Sequence, residues 1–137
     1  MASIYTRRLF YVVKMEVQVM SQKNSFIQVN GGNEYLVLSR KQGTTRIKID
    51  DILYFEKELR IIHVYTEDDI YSFYGSFKEL KKMIDKRFCR CHNSFIVNLN
   101  KTVHLERYEI HLVNGAVLSV SQRRYSHTKK SFLRHLC

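Results

Sequence analysis

Apolar positions along the chain fall into many short runs, most of them of strand length. Val13, Met15, Val17 and Val19 alternate with Lys14, Glu16 and Gln18, the period of a half-buried strand, although Leu9–Met20 also admits a helix. Asn30-Gly31-Gly32-Asn33 is the one break in composition and reads as a turn or linker. Beyond it the signal is β. Tyr35–Leu38 is a short apolar run, Gln42-Gly43-Thr44 turns into Arg46–Ile49, and Asp50-Asp51 stands before Ile52–Phe55 with carboxylates placed to cap a short turn. Ile61–Tyr65 and Ile70–Tyr74 are β-branched and aromatic, and polar Thr66–Asp69 between them has the length of a hairpin loop.

One segment leaves this pattern. Ser76 with Glu79 three residues on forms a capping box, and Phe77, Leu80, Met83 and Ile84 share one helical face, which predicts a short amphipathic helix through Ile84 docked on a sheet. Its lysines form a solvated face. Asn93–Val97 then reads as a strand. Ile110–Val113 and Ala116–Val120 flank Asn114-Gly115, the strongest short hairpin signal because both residues tolerate positive φ. The basic tail carries Tyr125, Phe132, Leu133 and Leu136 at helical spacing. The sum is a mainly β chain with one or two short helices.

Charge adds direction. Lys and Arg number 23 against 13 acids, a net charge of +10 and a pI near 9.7, in a chain of 137 residues with room for one domain. Such an excess attracts a polyanion, nucleic acid first. Three cysteines, with Cys89 and Cys91 too close to pair easily in one strand, argue against an extracellular disulfide framework and for a reducing cytoplasm. Leu9–Val13, the longest uncharged apolar stretch near the start, is too short to cross a bilayer. No membrane partner is expected.

Catalytic and metal chemistries fit poorly. Cys89-x-Cys91-His92 is a fragment of a zinc site with no second cluster at ligand spacing, so Cys91 reads as core packing. Asp50-Asp51 and Glu67-Asp68-Asp69 read as solvated turns rather than a nuclease metal site, and with 5 glycines there is no phosphate loop. The expectation is no enzyme and no cofactor.

Phe88–Asn98 is the most informative segment. As one strand it would put Arg90, His92, Ser94 and Ile96 on one face and Cys91, Asn93, Phe95 and Val97 on the other. Asn suits bidentate contact with adenine, although His92 and Asn93 could simply satisfy backbone groups at a strand start. Ile52-Leu53-Tyr54-Phe55-Glu56, Phe73–Leu80, Arg90-x-His92-x-Ser94-Phe95-Ile96-Val97-Asn98, Asn114-Gly115 and Val120–Arg124 occur in this order. Together they resemble the LytTR domain, the DNA-binding output domain of many bacterial response regulators. The spellings are closer to quorum-sensing members than to the family at large. The resemblance runs from about Tyr35 to the end, so residues 33–137 are expected to be the LytTR-type DNA-binding domain and 1–32 an N-terminal extension or linker.

This resemblance implies an elongated antiparallel β-sheet arrangement that inserts loops, not a recognition helix, into successive major grooves of promoter direct repeats and bends the DNA. On it, Asn93 matches a contacting Asn, and Arg60 stands where related members carry a contacting His on a longer loop. In the third loop the usual Ser-Arg appears as Ser121-Gln122-Arg123, so either Gln122 or Arg123 takes the contact; Gln suits adenine and Arg guanine. Lys57, Arg60, Lys86, Arg90, Arg123, Arg124, Lys129 and Lys130 can neutralise phosphates. Double-stranded DNA is therefore the expected partner, with a second copy on tandem repeats. Family members commonly carry a phosphorylatable receiver, and the roughly 30 residues ahead of the domain are too few to form one. The competing reading is a basic interaction module that docks an acidic protein.

Overall fold

The computed structural model describes residues 25–30, 32–41 and 43–136. The strand or helix expected within Leu9–Met20 lies outside them. Eleven described strands form three sheets, and every pairing among them is antiparallel. The first sheet is β1 (Ser25–Asn30), β2 (Asn33–Arg40) and β3 (Gly43–Lys48), in that order. Asn30 pairs with Asn33, so the glycine pair joins two strands of one sheet rather than separating two units. Gly32 has φ +82°, which a side chain would disfavour.

The central sheet has five strands: β4 (Tyr54–Glu58), β5 (Ile61–Tyr65), β6 (Ile70–Tyr74), β7 (Phe88–His92) and β8 (Phe95–Asn98), in spatial order β6-β5-β4-β8-β7. The third sheet orders β9 (Thr102–Glu106), β10 (Glu109–Leu112) and β11 (Val117–Ser119) as β11-β10-β9. Among the described residues two α-helices follow, α1 (Phe77–Leu80) and α2 (Tyr125–Leu136).

Alternation along the central strands serves two cores. Phe55, Ile96 and Phe88 join Leu36, Leu38, Ile47 and Ile52, with Phe77 and Leu80 of α1, in a core against the first sheet. Neighbouring residues of opposite phase, among them Cys89, Cys91 and Val97, join Ile110, Leu112 and Leu118 in a second core, against which Tyr125 and Phe132 of α2 pack. A sheet covered on both faces buries successive side chains, which is why β5 and β8 read as near-continuous apolar runs. Each fully buried Phe or Ile contributes about 1.5–3 kcal/mol of transfer free energy.

Four local expectations change. The helix after Ser76 stops at Leu80: Ser76 Oγ accepts from Glu79 N at 3.2 Å as the cap requires, but Lys82 N and Met83 N donate to residues three back. Met83 and Ile84 still pack on the core, from a turn rather than a helix. The strand expected over Asn93–Val97 begins two residues later, at Phe95, because Asn93-Ser94 is the turn between β7 and β8. At Asn114-Gly115 only glycine has positive φ, +91°, and Gly115 N donates to Leu112 O while Leu112 N donates to Ala116 O. This is a wider turn closed by a glycine bulge, not a two-residue hairpin. Asp50 and Asp51 sit in a 3-10 turn with no side-chain cap.

Asp50 instead joins an ion-pair network. Arg87 Nη1 donates to Asp50 Oδ1 at 2.6 Å, and its Nη2 to Glu34 Oε1 at 2.5 Å and Asp85 Oδ2 at 2.7 Å. One guanidinium thus ties the first sheet to the entry of β7. The hydrogen bond from Arg87 holds the Asp85 carboxyl below its ordinary 3.8, and these carboxylates raise Arg87 further. A depressed carboxyl stabilises the fold above its unfolded pKa and loses that contribution as pH falls through the folded value. Wild type should therefore exceed Asp85→Asn in urea stability by a constant margin above about pH 5. The margin should shrink below the ordinary 3.8, and equal margins at all pH would sink the assignment.

Cys89 and Cys91 are both buried and unpaired by disulfide. Burial pushes the Cys89 thiol up, and pushes Cys91 up to about 12. In a Cys137→Ser variant, iodoacetamide at about pH 8 should leave the native thiols unmodified while alkylating both in urea. Rapid alkylation of native protein would contradict this packing.

Candidate nucleic-acid interface

Antiparallel register sets which loops share an end of the central sheet. Glu58 pairs with Ile61, Ile61 with Tyr74, Glu56 with Phe95, and His92 with Phe95. The β4–β5 turn, the β7–β8 turn and the exit of β6 therefore lie at one end. The first turn is only Leu59-Arg60, and Leu59 is 88% exposed with φ 56°. That left-handed conformation costs a branched L-residue roughly 1–2 kcal/mol. The backbone around it is held on two sides. Gly75 N donates to Arg60 O at 2.9 Å, and Lys57 N in β4 donates to Ser94 O at 2.8 Å.

The β7–β8 hairpin carries an irregularity with consequences. Phe88, Cys89 and Arg90 pair with Asn98, Val97 and Ile96, but His92 pairs with Phe95. β7 has one residue too many, Cys91, and a bulge of this kind bends the strand and frees backbone groups from the ladder. Cys91 O accepts from Ser121 N at 2.9 Å. That bond brings the third loop, the 3-10 turn Gln122–Arg124 and then α2, to the same end of the sheet.

At the tip, Arg90 holds Asn93. Its Nη2 donates to Asn93 O at 2.8 Å and to Asn93 Oδ1 at 3.3 Å, and its guanidinium lies 5.1 Å from the centroid of the Phe77 ring. Ser94 N donates to His92 Nδ1 at 3.0 Å, fixing the other side of the turn. Asn93 is exposed, and no described residue engages its Nδ2 amino group. A donor beside a carbonyl with a spare lone pair is the arrangement that reads an adenine edge.

Of the residues expected in the site, Lys57, Arg60, Asn93, Gln122 and Arg123 are exposed, and Arg90 and Arg124 are half-buried. Burial, then the nearby charges of Arg124 and Arg123, push Arg90 below the ordinary arginine range. Arg90 thus lies within the field of the third loop as well as on the second. Arg60 sits across the sheet end with no described contact to the others. Gln122 and Arg123 occupy adjacent exposed positions of one turn, so both remain available for a contact.

Sequence reasoning did not find the support beneath the first turn. His63 is fully buried in β5; its Nδ1 pairs with Ser72 Oγ at 2.7 Å and its Nε2 with Glu58 Oε1 at 2.9 Å. Within an apolar run a lone His carries no periodic signal, and only the β5–β6 pairing of His63 with Ser72 reveals its role. Among the described residues no group of three or more His, Cys, Asp or Glu is placed to hold a metal ion, and no helix is long and apolar enough to cross a membrane.

Comparison with known proteins bears on the family and the fold. The chain is 34% identical over 96 residues to accessory gene regulator protein A of Staphylococcus aureus strain N315, covering 68% of this chain and 37% of that protein. It is 35% identical over 83 residues to the Staphylococcus epidermidis protein of the same name, covering 57% of this chain and 34% of the other. The chain therefore spans a little over a third of the length of these relatives. A solved LytTr DNA-binding domain from Bacillus cereus superposes with a TM-score of 0.63 at 25% identity, covering 71% of this chain and 94% of that one. Residues 42–132 match the LytTr DNA-binding domain as a family. The chain belongs to the LytTR family of DNA-binding domains.

Proposed function

We propose that this chain is the sequence-specific, double-stranded-DNA-binding part of a bacterial transcription regulator, acting in the cytoplasm and not as an enzyme. The observation that carries the reading is the convergence of three loops on one end of the central sheet, bearing Arg60, Asn93 and Gln122-Arg123. Membership of the family and the relatives' name as gene regulators support it. On this reading the loops enter successive major grooves of promoter direct repeats, with two copies on tandem sites. Asn93 reads an adenine edge, Arg60 reads a base from the first turn, and Gln122 or Arg123 reads a third position. Lys57, Arg90 and Arg124 neutralise phosphates and set the register.

The domain responsible is residues 33–137, with 1–32 an extension from which Ser25–Asn30 adds a strand to the first sheet. Bases outside the loops contribute through the cost of bending the duplex, on the order of 1–6 kcal/mol for a short site.

Selection from random duplexes at near-physiological salt tests this reading. Wild type should enrich a short repeated element. Asn93→Ala, Arg60→Ala and Arg123→Ala should each lose about 1–3 kcal/mol and relax preference at one position of the repeat. Gln122→Ala run in parallel assigns the third position. All four residues are exposed, so thermal midpoints should stay near wild type. Uniform, salt-suppressed binding with no recovered element would overturn the proposal and favour a basic module that docks an acidic protein.

A further inference from the structure

Behind the loop tips, α2, β7 and the segment after α1 line an open cavity of about 410 Å³. Lys81, Lys86, Arg90, Arg124 and Arg134 line it, and no lining residue is a carboxylate. His127 and His135 add imidazoles, Ser131 adds a hydroxyl, and the buried Phe88 and Cys89 give it an apolar wall.

Another cavity, of about 310 Å³, is lined differently. There Arg46, Lys48 and Lys101 face Asp51 and the acids of the Thr66–Asp69 loop. Arg87 likewise faces three carboxylates. In both places the cations face acids of the chain, whereas the α2 cavity sets five cations together with no carboxylate among its lining side chains. Burial and the adjacent guanidiniums already lower Arg90. A concave site with convergent like charges and one hydroxyl is completed by an anion of high charge density.

We propose that this cavity binds a phosphate group, supplied either by a soluble pyrophosphate or phosphate monoester or by the DNA backbone. Guanidinium forks match two phosphate oxygens at once, and ammonium groups of Lys81 and Lys86 supply flexible point charges around them. Arg90 lines the cavity from β7 and also holds Asn93 of the β7–β8 turn, so an occupant lies beside the residue that positions that turn. The soluble source is independent of the DNA-binding reading; the backbone source rests on it.

The test titrates the full chain with inorganic pyrophosphate at about physiological ionic strength, where weak surface pairing is screened. Calorimetry is read beside backbone amide shifts. A soluble ligand predicts a saturable one-to-one isotherm, shifts concentrated at Lys81, Lys86 and Ser131, and at least a tenfold loss in the double variant Lys81→Gln/Arg134→Gln. Neither variant residue belongs to the proposed readout loops. A backbone source predicts no saturation by pyrophosphate, but a salt dependence of duplex binding shallower by about one to two contacts in the double variant. Pyrophosphate binding by a wild-type chain that selects no DNA sequence would keep the cavity assignment and remove the DNA one. Shifts confined to other surfaces, or no isotherm together with an unchanged salt slope, would overturn the phosphate site.

Discussion

Between Arg90 and His92, β7 carries one residue more than β8 can pair, and the arrangement of the candidate face follows from that excess. In a regular hairpin Cys91 would spend its backbone carbonyl on the β8 ladder. Displaced from it, the carbonyl accepts Ser121 N and draws the end of the third sheet against β7. The same displacement keeps Cys91 fully buried against Val97 and Leu118 while Arg90 stays on the other side, in reach of Asn93 and Phe77. Straighten β7, and the third loop loses its anchor on the central sheet.

The +10 charge is distributed by the same packing. Arg87 is consumed by Glu34, Asp50 and Asp85, where it stitches the first sheet to the central one. At the loop end and in the α2 cavity, Arg90, Arg123 and Arg124 crowd together with no carboxylate among the cavity's lining. A uniform basic surface would attract any polyanion; neutralisation in one region and excess in another gives the attraction a direction.

Much of this was legible in the residues. Ile61–Tyr65 and Ile70–Tyr74 are strands at the boundaries their apolar runs set, because a sheet covered on both faces tolerates few polar interruptions. The capping box at Ser76 is real, yet the amphipathic stripe beyond Leu80 is turn, since so short a segment gains little from helical hydrogen bonds and its packing decides the backbone. Asn93 was marked by chemistry and misassigned to a strand. Periodicity of two continues on paper through Arg90–Val97, and nothing in composition marks the bulge that breaks it. The exposed side chains Leu133 and Leu136 show the same limit, because helical spacing does not say which part of a stripe meets a core.

Sequence alone determined the mainly β class, the bounds of the Ile61–Tyr65 and Ile70–Tyr74 strands and the basic character. These are properties of local composition and of side-chain period, which neighbouring positions carry between them. Tertiary structure decided that loops far apart in the chain, those of Arg60, Asn93 and Gln122-Arg123, lie at one end of the central sheet. It decided too that Arg90 clamps Asn93 and that five cations line one cavity. Those outcomes depend on strand order, on a one-residue shift in register and on two packed sheet faces, which arise only when segments distant in sequence pair and exclude water between them.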